Sequence, residues 1–323
     1  MAIDEFKPKL AKWYHNKRAA VSLRFDDSYE SHVRIAIPAL NQYDFKATFM
    51  VNPGKSRYLE QQGFWEQKVP RMGHRFGNHT MHHKGADTLQ EADYEIGEVS
   101  RLIWRLFPDQ SKLTVFASGG GGLMWGGDYW PDATDDYKKL LGKYHLIDLY
   151  DGNHPSRSVN SIDTADDLCK LVKTSLVSGS HKAFHFHDIG KRSAMEKTKR
   201  IVLGKSLTVK AHIFEKFLEC LNYYKGNIWI APLVSTLKYE TEYNSAKLTV
   251  FSQSKDAVHL NLIIGTDERL YDQKLTLIIP GNNQKKVNSI MQNNGVLDGY
   301  YDEKSNVILV NVEPIESRIV VNY

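Results

Sequence analysis

The feature that most constrains the fold is an alternation of short apolar runs with helical patterns between residues 20 and 230. The strand-like runs are residues 20–25, 46–51, 113–116, 145–149, 182–187 and 228–230. Between them, apolar residues recur at three- and four-residue spacings, as on one face of a helix. This alternation predicts a parallel sheet, either open or closed into a barrel. In both forms, the side chains that carry chemistry lie at the carboxyl ends of the strands.

The pattern changes after residue 240. Five strand-like segments follow, with turn-rich connectors and no helical period of useful length: residues 248–251, 258–264, 274–279, 306–312 and 317–321. Short strands separated by turns predict a small antiparallel β-sandwich. We therefore predict two domains, an α/β domain over residues 1–240 and a β-sandwich accessory domain over residues 241–323.

The composition is that of a globular protein, and it excludes two classes of function. No segment approaches the roughly 20 apolar residues that a membrane-spanning helix needs. The net charge is +4, but the basic residues are scattered among acidic ones, whereas nucleic-acid binders concentrate them on one element. We therefore expect neither a membrane span nor nucleic-acid binding.

The two cysteines and the first residues bear on the cellular compartment. Cys169 and Cys220 lie on apolar helix-like faces, where single cysteines are usually small core residues rather than ligands or disulfide partners. The first twenty residues contain no apolar stretch typical of a signal peptide. We expect a cytoplasmic protein, or a secreted or periplasmic one if a leader has been removed.

The first candidate cluster is a pair of adjacent carboxylates, Asp26 and Asp27, at the end of the first predicted strand. Adjacent side chains point in different directions, so one carboxylate could bind a metal ion while the other accepts a proton. The alternative is structural, because Asp27 or Ser28 could cap the following helix. The cluster alone leaves both interpretations open.

The second cluster contains His79 and His83. If the segment is helical, a spacing of four residues places both imidazoles on one face, where each can reach one ion at about 2.0–2.1 Å. Two imidazoles and one carboxylate leave coordination positions open for water, as catalytic zinc sites do. The alternative is a surface run of histidines.

The third cluster contains His185 and His187, at the end of a late apolar run. Strand alternation places the two side chains on one face, and a histidine at the strand end is well placed to deliver a proton. A buried structural histidine is the alternative for either residue alone. Together the three clusters supply the parts of metal-assisted hydrolysis.

These motifs resemble the polysaccharide deacetylases, which are the NodB-homology carbohydrate esterases. The resemblance rests on Phe-Asp-Asp after a strand, His-Thr-x-x-His, and a late strand ending in His-Asp, and it covers roughly residues 18–240. It implies a distorted, incomplete (β/α) barrel, followed here by the small β-sandwich. It also implies a metal-dependent hydrolase that removes N- or O-linked acetyl groups from a carbohydrate.

The resemblance also implies roles for individual residues. Asp27, His79 and His83 match the family's metal ligands, Asp26 its general base and His187 its general acid. One divalent ion is implied, for which we expect zinc, although two histidines and one aspartate also suit Co²⁺, Ni²⁺, Mn²⁺ or Fe²⁺. In the implied mechanism the metal activates water, Asp26 accepts its proton and His187 protonates the leaving group.

The chain departs from the family pattern at residues 116–122. The family has an Arg-x-Pro-type motif there, whose arginine orients the catalytic aspartate, whereas this chain has a glycine run. Arg24, Arg71 and Arg75 are candidates for the missing arginine. A backbone N–H of the glycine run could stabilise an oxyanion, and aromatic residues beyond it could stack on a sugar. The expected substrate contacts are Gly119, Gly120, Trp125 and Trp130.

Two other functions compete with deacetylation of a carbohydrate. The missing arginine and the added β-sandwich motivate the first alternative, a glycan-binding protein that has a deacetylase fold and little turnover. The glycine run could instead open a pocket for a non-sugar amide, which would make the protein an amidase. We expect a structural accessory role for the C-terminal domain, and no pattern indicates the oligomeric state.

Overall fold

The structure is a computed structural model. It describes residues 8–119, 135–152, 154, 156–191, 193, 197, 206–254, 256–280 and 287–323, and only the backbone of residues 124–125, 128–129 and 156–157. Gly120 and Trp130, both expected substrate contacts, lie outside the described residues, as does the side chain of Trp125. Their predicted roles stay predictions.

The first 230 residues contain the described strands that pair in parallel. The strands in this part of the chain are β1 (Lys9–Leu10), β2 (Ala19–Asp26), β3 (Thr48–Val51), β4 (Arg75–Asn78), β5 (Thr114–Phe116), β6 (Met124–Trp125), β7 (Asp128–Tyr129), β8 (Leu146–Asp148), β9 (Ser156–Ser158), β10 (His181–Phe186), β11 (Asp188–Gly190), β12 (Thr208–Lys210) and β13 (Ile228–Ile230). The remaining strands are β14 (Lys247–Gln253), β15 (Ala257–Ile263), β16 (Leu275–Pro280), β17 (Ser289–Gln292), β18 (Gly295–Leu297), β19 (Gly299–Asp302), β20 (Val307–Val312) and β21 (Ser317–Asn322).

The helices are concentrated before residue 246. The α-helices are α1 (Ile37–Gln42), α2 (Ser56–Leu59), α3 (Gln62–Gln67), α4 (Leu89–Leu106), α5 (Asp135–Lys143), α6 (Ala165–Ser178), α7 (Ala211–Tyr224) and α8 (Leu233–Ser245). A π-helix (His32–Ala36) precedes α1, and short 3₁₀-helices occupy Tyr14–Asn16 and Pro70–Met72. Within the described ranges, no helix is both long enough and apolar enough to cross a membrane.

The chain forms two compact units. The α/β unit is Ala19–Thr236, and the β unit combines Met1–Arg18 with Leu237–Tyr323. The first residues belong to the β unit because β1 pairs with β16, whereas the sequence pattern placed them in the α/β domain. The domain boundary between residues 240 and 241 stays a prediction.

A curved parallel sheet forms the centre of the α/β unit. Its strand order is β8-β5-β4-β3-β2-β10-β9. The central strand β2 pairs along one edge with β10 and along the other with β13 and then β3. Among the described residues, the end strands β8 and β9 do not pair with each other. The sheet is therefore a distorted, incomplete (β/α) barrel, and the predicted fold class is confirmed.

Alternation along β2 separates the apolar core from the polar face. All eight residues of the strand are buried, and Phe25 stacks on Phe49 and Phe186 at ring distances of 5.1 and 5.3 Å. Since successive side chains point to opposite faces, the residues on either side of Phe25 lie on the other face of the strand. These are Arg24 and Asp26, both buried, so the core packing of Phe25 directs two charged groups to one side of the sheet.

Cys169 and Cys220 form a disulfide, with their Cα atoms 6.2 Å apart. The prediction of two single core cysteines is therefore wrong. Cys169 lies on α6 and Cys220 on α7, and these two helices pack against each other. The pairing depends on this tertiary contact between residues 51 positions apart, which helical periodicity cannot reveal.

The β unit consists of two antiparallel sheets, as the turn-rich sequence predicted. One sheet has the order β1-β16-β20-β19 and the other β14-β15-β21-β17-β18. Gly299 of the first sheet approaches Ile290 of the second, since a Cβ atom at this glycine would lie 3.3 Å from the isoleucine Cδ1. The two sheets therefore contact each other, as in a small sandwich.

Candidate metal centre

The two adjacent carboxylates diverge where β2 ends. Asp26 is the last residue of β2, whereas Asp27 begins a turn with a positive φ of 74°. Aspartate adopts this left-handed backbone more readily than most residues. The change of backbone at Asp27 sends the neighbouring side chains in different directions, as the sequence predicted.

His79 and His83 follow β4 in a loop rather than in a helix. The helical expectation for this segment is wrong, because Thr80 and His83 have positive φ angles of 62° and 55°. The loop is held from outside by Asn52, whose side-chain amide donates to the carbonyl oxygens of His79 and Thr80. The two imidazoles nevertheless meet, with ring centroids 4.8 Å apart.

Three predicted ligand atoms converge in the structure. The Oδ1 atom of Asp27 lies 2.9 Å from His83 Nε2 and 3.3 Å from His79 Nε2. All three atoms lie within 4.8 Å of one another. Asp27 Oδ1 is buried and has no hydrogen-bond partner of good geometry among the described residues. Such a set of two nitrogens and one oxygen fits a divalent ion of the zinc type.

The charge state of Asp27 also suits an ion. Burial by itself would raise the pKa of this carboxyl, but the adjacent His79 and His83 hold it well below its usual range. The carboxylate therefore stays ionised, as a metal ligand must.

The backbone around the site fixes which nitrogen of His79 faces Asp27. His79 Nδ1 lies 2.8 Å from the carbonyl oxygen of Ala117. A carbonyl oxygen only accepts, so Nδ1 carries the proton and Nε2 presents its lone pair to the site. A hydrogen bond on the far ring nitrogen is what orients most metal-binding histidines.

Gly119 packs directly behind the ligand residues. A Cβ atom here would lie 2.6 Å from His83 Cδ2 and 3.0 Å from the His79 carbonyl oxygen. Only glycine fits at this distance from the His83 ring. Gly119 therefore packs against the His83 ring. The expected contact of Gly119 with substrate stays a prediction.

Asp26 is buried between the guanidinium group of Arg24 and the imidazole of His185. The guanidinium group of Arg24 donates from Nε to Oδ1 at 2.7 Å and from Nη2 to Oδ2 at 2.5 Å. His185 Nε2 lies 2.9 Å from Asp26 Oδ2. Burial would raise the pKa of Asp26, but Arg24 and His185 hold it well below its usual range.

Of the three arginines considered as replacements for the family's motif arginine, only Arg24 contacts Asp26 in the described structure. Arg75 donates to the carbonyl oxygen of His74 and lies over the ring of Phe107, and Arg71 lies exposed on a 3₁₀-helix. Arg24 also donates to the Tyr150 hydroxyl at 3.2 Å.

His185 had no predicted function, although strand alternation placed it on the same face as His187. The two rings lie 4.5 Å apart. His185, His187 and Asp26 form a second group whose potential ligand atoms lie within 4.8 Å of one another. The sequence did contain a signal for this group. Arg-x-Asp on one strand and His-x-His on another each place two polar side chains on one strand face.

His187 is placed beside the site and is neutral near pH 7. Burial and the adjacent His185 lower the pKa of His187 to about 4. Its carbonyl oxygen accepts a hydrogen bond from His32 Nε2 at 2.6 Å, which ties the end of β10 to the π-helix after the Asp-Asp turn. A role as general acid requires that His187 gain a proton once substrate is bound.

Comparisons with known proteins bear on the resemblance that the motifs predicted. Residues 14–122 match the model of the polysaccharide deacetylase family. This region contains both carboxylates, both predicted ligand histidines and the glycine run. A gellan lyase from Bacillus sp is 23% identical over 293 residues, covering 83% of this chain but 11% of the lyase. The chain thus spans about a tenth of that relative's length.

Several solved structures have similar backbones. A family 4 carbohydrate esterase from Streptomyces lividans, in complex with acetate, is 14% identical and has a TM-score of 0.45, covering 68% of this chain and 95% of its own. The peptidoglycan deacetylase PdaC from Bacillus subtilis is 14% identical, with a TM-score of 0.42 and coverage of 69% and 91%. A family 4 pseudoenzyme from Bacillus anthracis is 15% identical, with a TM-score of 0.43 and coverage of 69% and 66%.

At these TM-scores the backbone matches carry no weight for function, and the resemblance depends on the sequence match. The similarity of residues 14–122 to the polysaccharide deacetylase family, which the motifs predicted, is thereby confirmed.

Proposed function

We propose that this protein is a metal-dependent hydrolase that removes acetyl groups from a carbohydrate. The observation that carries the proposal is the convergence of Asp27, His79 and His83 beside the buried carboxylate of Asp26. Because Asp26 Oδ2 lies 3.6 Å from His79 Nε2, a water molecule held at the three ligands could be activated and deprotonated in one place.

A divalent ion held by Asp27, His79 and His83 would supply Lewis-acid activation of a water and of the acyl carbonyl. Asp26 faces the same space, with its Oδ2 atom 3.6 Å from His79 Nε2. Because Asp26 remains ionised, it is able to accept a proton from the attacking water as general base.

His187 would act on the leaving group. The proton that Asp26 takes from water must reach the departing amine or alcohol, and His185 and His187 provide imidazole nitrogens beside the carboxylate. We propose that His187 receives this proton and donates it to the leaving group, which would restore its neutral state.

The contact between Arg24 and Asp26 favours turnover over binding alone. A glycan-binding role was motivated by the loss of the motif arginine, but the guanidinium group of Arg24 contacts Asp26 from β2. The geometry at the metal ligands suits an ester as well as an amide, so the class of acetyl linkage is left to experiment.

The disulfide supports an oxidising compartment. Disulfide bonds persist mainly in secreted, periplasmic or cell-surface proteins, and Cys169 and Cys220 are joined in the folded chain. An extracellular or periplasmic setting would also bring the enzyme to polymeric glycans.

Acetate release from a panel of N- and O-acetylated glycans tests the proposal. The zinc-loaded protein should release acetate, and chelation should abolish release, with recovery when zinc is restored. An acetylated non-sugar amide belongs in the same panel as a test of the amidase alternative. Release from the amide but from no glycan would replace the substrate class, and binding of a glycan without any release would contradict the proposal.

A further inference from the structure

We propose that Arg24 and His185 are positioning residues that hold the Asp26 carboxylate in its reactive orientation, replacing the family arginine that is absent from residues 116–122. The inference rests on the proposed function, since Asp26 is the general base there. In this proposal the residues that orient Asp26 lie on its own strand, β2, and on the neighbouring strand β10. The family's orienting arginine would instead lie in the loop after β5.

The strand geometry brings the three side chains together. Arg24 and Asp26 are two residues apart on β2 and therefore share a face. On the neighbouring parallel strand β10, His185 lies directly opposite Arg24 in the pairing register. Neighbouring residues on one sheet face are close enough for their side chains to interact. The position of the base is therefore set by two regular strands.

The contacts restrict the carboxylate in both plane and rotation. Arg24 binds both oxygens of Asp26 through two parallel N–H groups, and His185 adds a contact to Oδ2. A bidentate arginine defines the plane of a carboxylate, which a lysine cannot do because its ammonium is a single point charge. Arg24 is fully buried and Asp26 almost so, so water does not compete for these contacts.

Arg24 is itself held from a second direction. Its Nη2 atom donates to the Tyr150 hydroxyl at 3.2 Å, and the guanidinium carbon lies 5.6 Å from the centre of that ring. The guanidinium group is therefore held by Tyr150, which follows β8, as well as by its own place on β2. A displacement of about 1 Å in a reacting group can cost about 10²-fold in rate. We expect an effect of this size when the guanidinium group is lost.

The first test compares Arg24→Lys and His185→Gln with the matched control Arg75→Lys, which changes an arginine on β4 that contacts His74 and Phe107 instead. We expect kcat for acetate release to fall about 10²-fold in Arg24→Lys and less in His185→Gln. The KM and the zinc stoichiometry should stay at wild-type values, as should every parameter of the control.

Coupling through Asp26 separates positioning from a general structural role. In an Asp26→Asn background, Arg24→Lys should cause little further loss of rate, because residues that act as one unit are not additive. An undiminished loss in that background would overturn the proposal. The proposal would also be overturned if the wild type bound two metal equivalents and His185→Gln bound one. His185 would then be a ligand of a second ion.

A structural measurement keeps the inference independent of activity. In crystals of Arg24→Ala, the Asp26 carboxylate should rotate away from its wild-type position and return when guanidinium ion is soaked in. If Arg24→Ala does not fold, Arg24→Lys crystals serve for the same comparison with Arg75→Lys. An unmoved carboxylate would overturn the positioning role. A wild-type enzyme without acetate release would instead defeat the proposed function while leaving this measurement valid.

Discussion

Two buried carboxyl groups, one in each unit of the molecule, have opposite electrostatic environments. Asp26 in the α/β unit touches Arg24 and His185, which hold its pKa well below the usual range. Glu242 on α8, in the β unit, accepts a hydrogen bond from the backbone N–H of Gln273. Its other oxygen has no hydrogen-bond partner among the described residues, and burial raises its pKa to about 8.

The difference shows where the fold maintains a buried negative charge. A buried carboxylate needs a counter-charge in contact to remain ionised. The α/β unit provides one at the strand ends, beside three converging ligand atoms. In the β unit Glu242 has a backbone donor, while the nearby Lys238 pairs with Asp272, and the Glu242 carboxyl group is neutral up to about pH 8. A sustained buried charge therefore points to function, and a neutral buried acid to packing.

The sharpest test of this comparison makes the same isosteric change in both groups. Asp26→Asn should lower the rate of acetate release by about 10²–10⁴-fold, the usual contribution of a general base, with zinc still bound. It should also lower the free energy of unfolding by about 3–5 kcal/mol, because Arg24 is left as a buried charge without an anion. Steady-state kinetics, metal analysis and denaturant unfolding measure the three quantities.

An Asp26→Asn variant with wild-type rate would exclude this carboxylate as the base. Loss of zinc together with rate would instead make Asp26 a metal ligand, which its 3.6 Å approach to His79 Nε2 makes the main competing role.

The disulfide is expected to stabilise one unit only. Both cysteines of the chain lie in the α/β unit and are joined, so reduction should lower the free energy of unfolding of this unit by about 2–4 kcal/mol. Chemical denaturation with and without dithiothreitol measures the effect, and a Cys169→Ser, Cys220→Ser double variant should not respond to the reductant. An identical response in that variant would assign the effect to something other than the disulfide.

Glu242 should make the stability of the protein depend on pH. Between its ordinary pKa of 4.5 and about 8, the folded state keeps a proton that the unfolded state has lost. The free energy of unfolding should therefore decrease as pH rises through this window, by about 1 kcal/mol per pH unit. Glu242→Gln should remove this slope without changing the rate of acetate release. The free energy of unfolding of both proteins, measured at pH 5 and pH 8, tests this prediction. An unchanged slope in Glu242→Gln would show that other groups cause the pH dependence.

The sequence was most informative where chemistry and strand ends coincide. Asp27, His79 and His83 were predicted to meet, and they do so although the segment between His79 and His83 is not helical. The loop conformation depends on Asn52, which lies elsewhere in the chain and has no periodic relation to the histidines. Local spacing therefore pointed to the predicted ligand residues but not to the backbone that brings them together.

Tertiary pairing accounts for what the sequence could not reveal. The meeting of His185 with Arg24 and Asp26 follows from the register of β2 and β10, which no local pattern encodes. The joining of Cys169 to Cys220 likewise depends on which helices pack side by side. Strand alternation alone, applied to Arg-x-Asp and His-x-His, would have been enough to group Arg24 with Asp26 and His185 with His187.

The most direct test of the account is a titration of metal-free protein with zinc while acetate release from the best glycan is followed. Activity should rise in proportion to added zinc and reach its plateau at one equivalent, and Asp27→Ala should neither bind stoichiometrically nor become active. Activity without zinc, or equal zinc binding by Asp27→Ala, would contradict a catalytic metal centre at Asp27, His79 and His83.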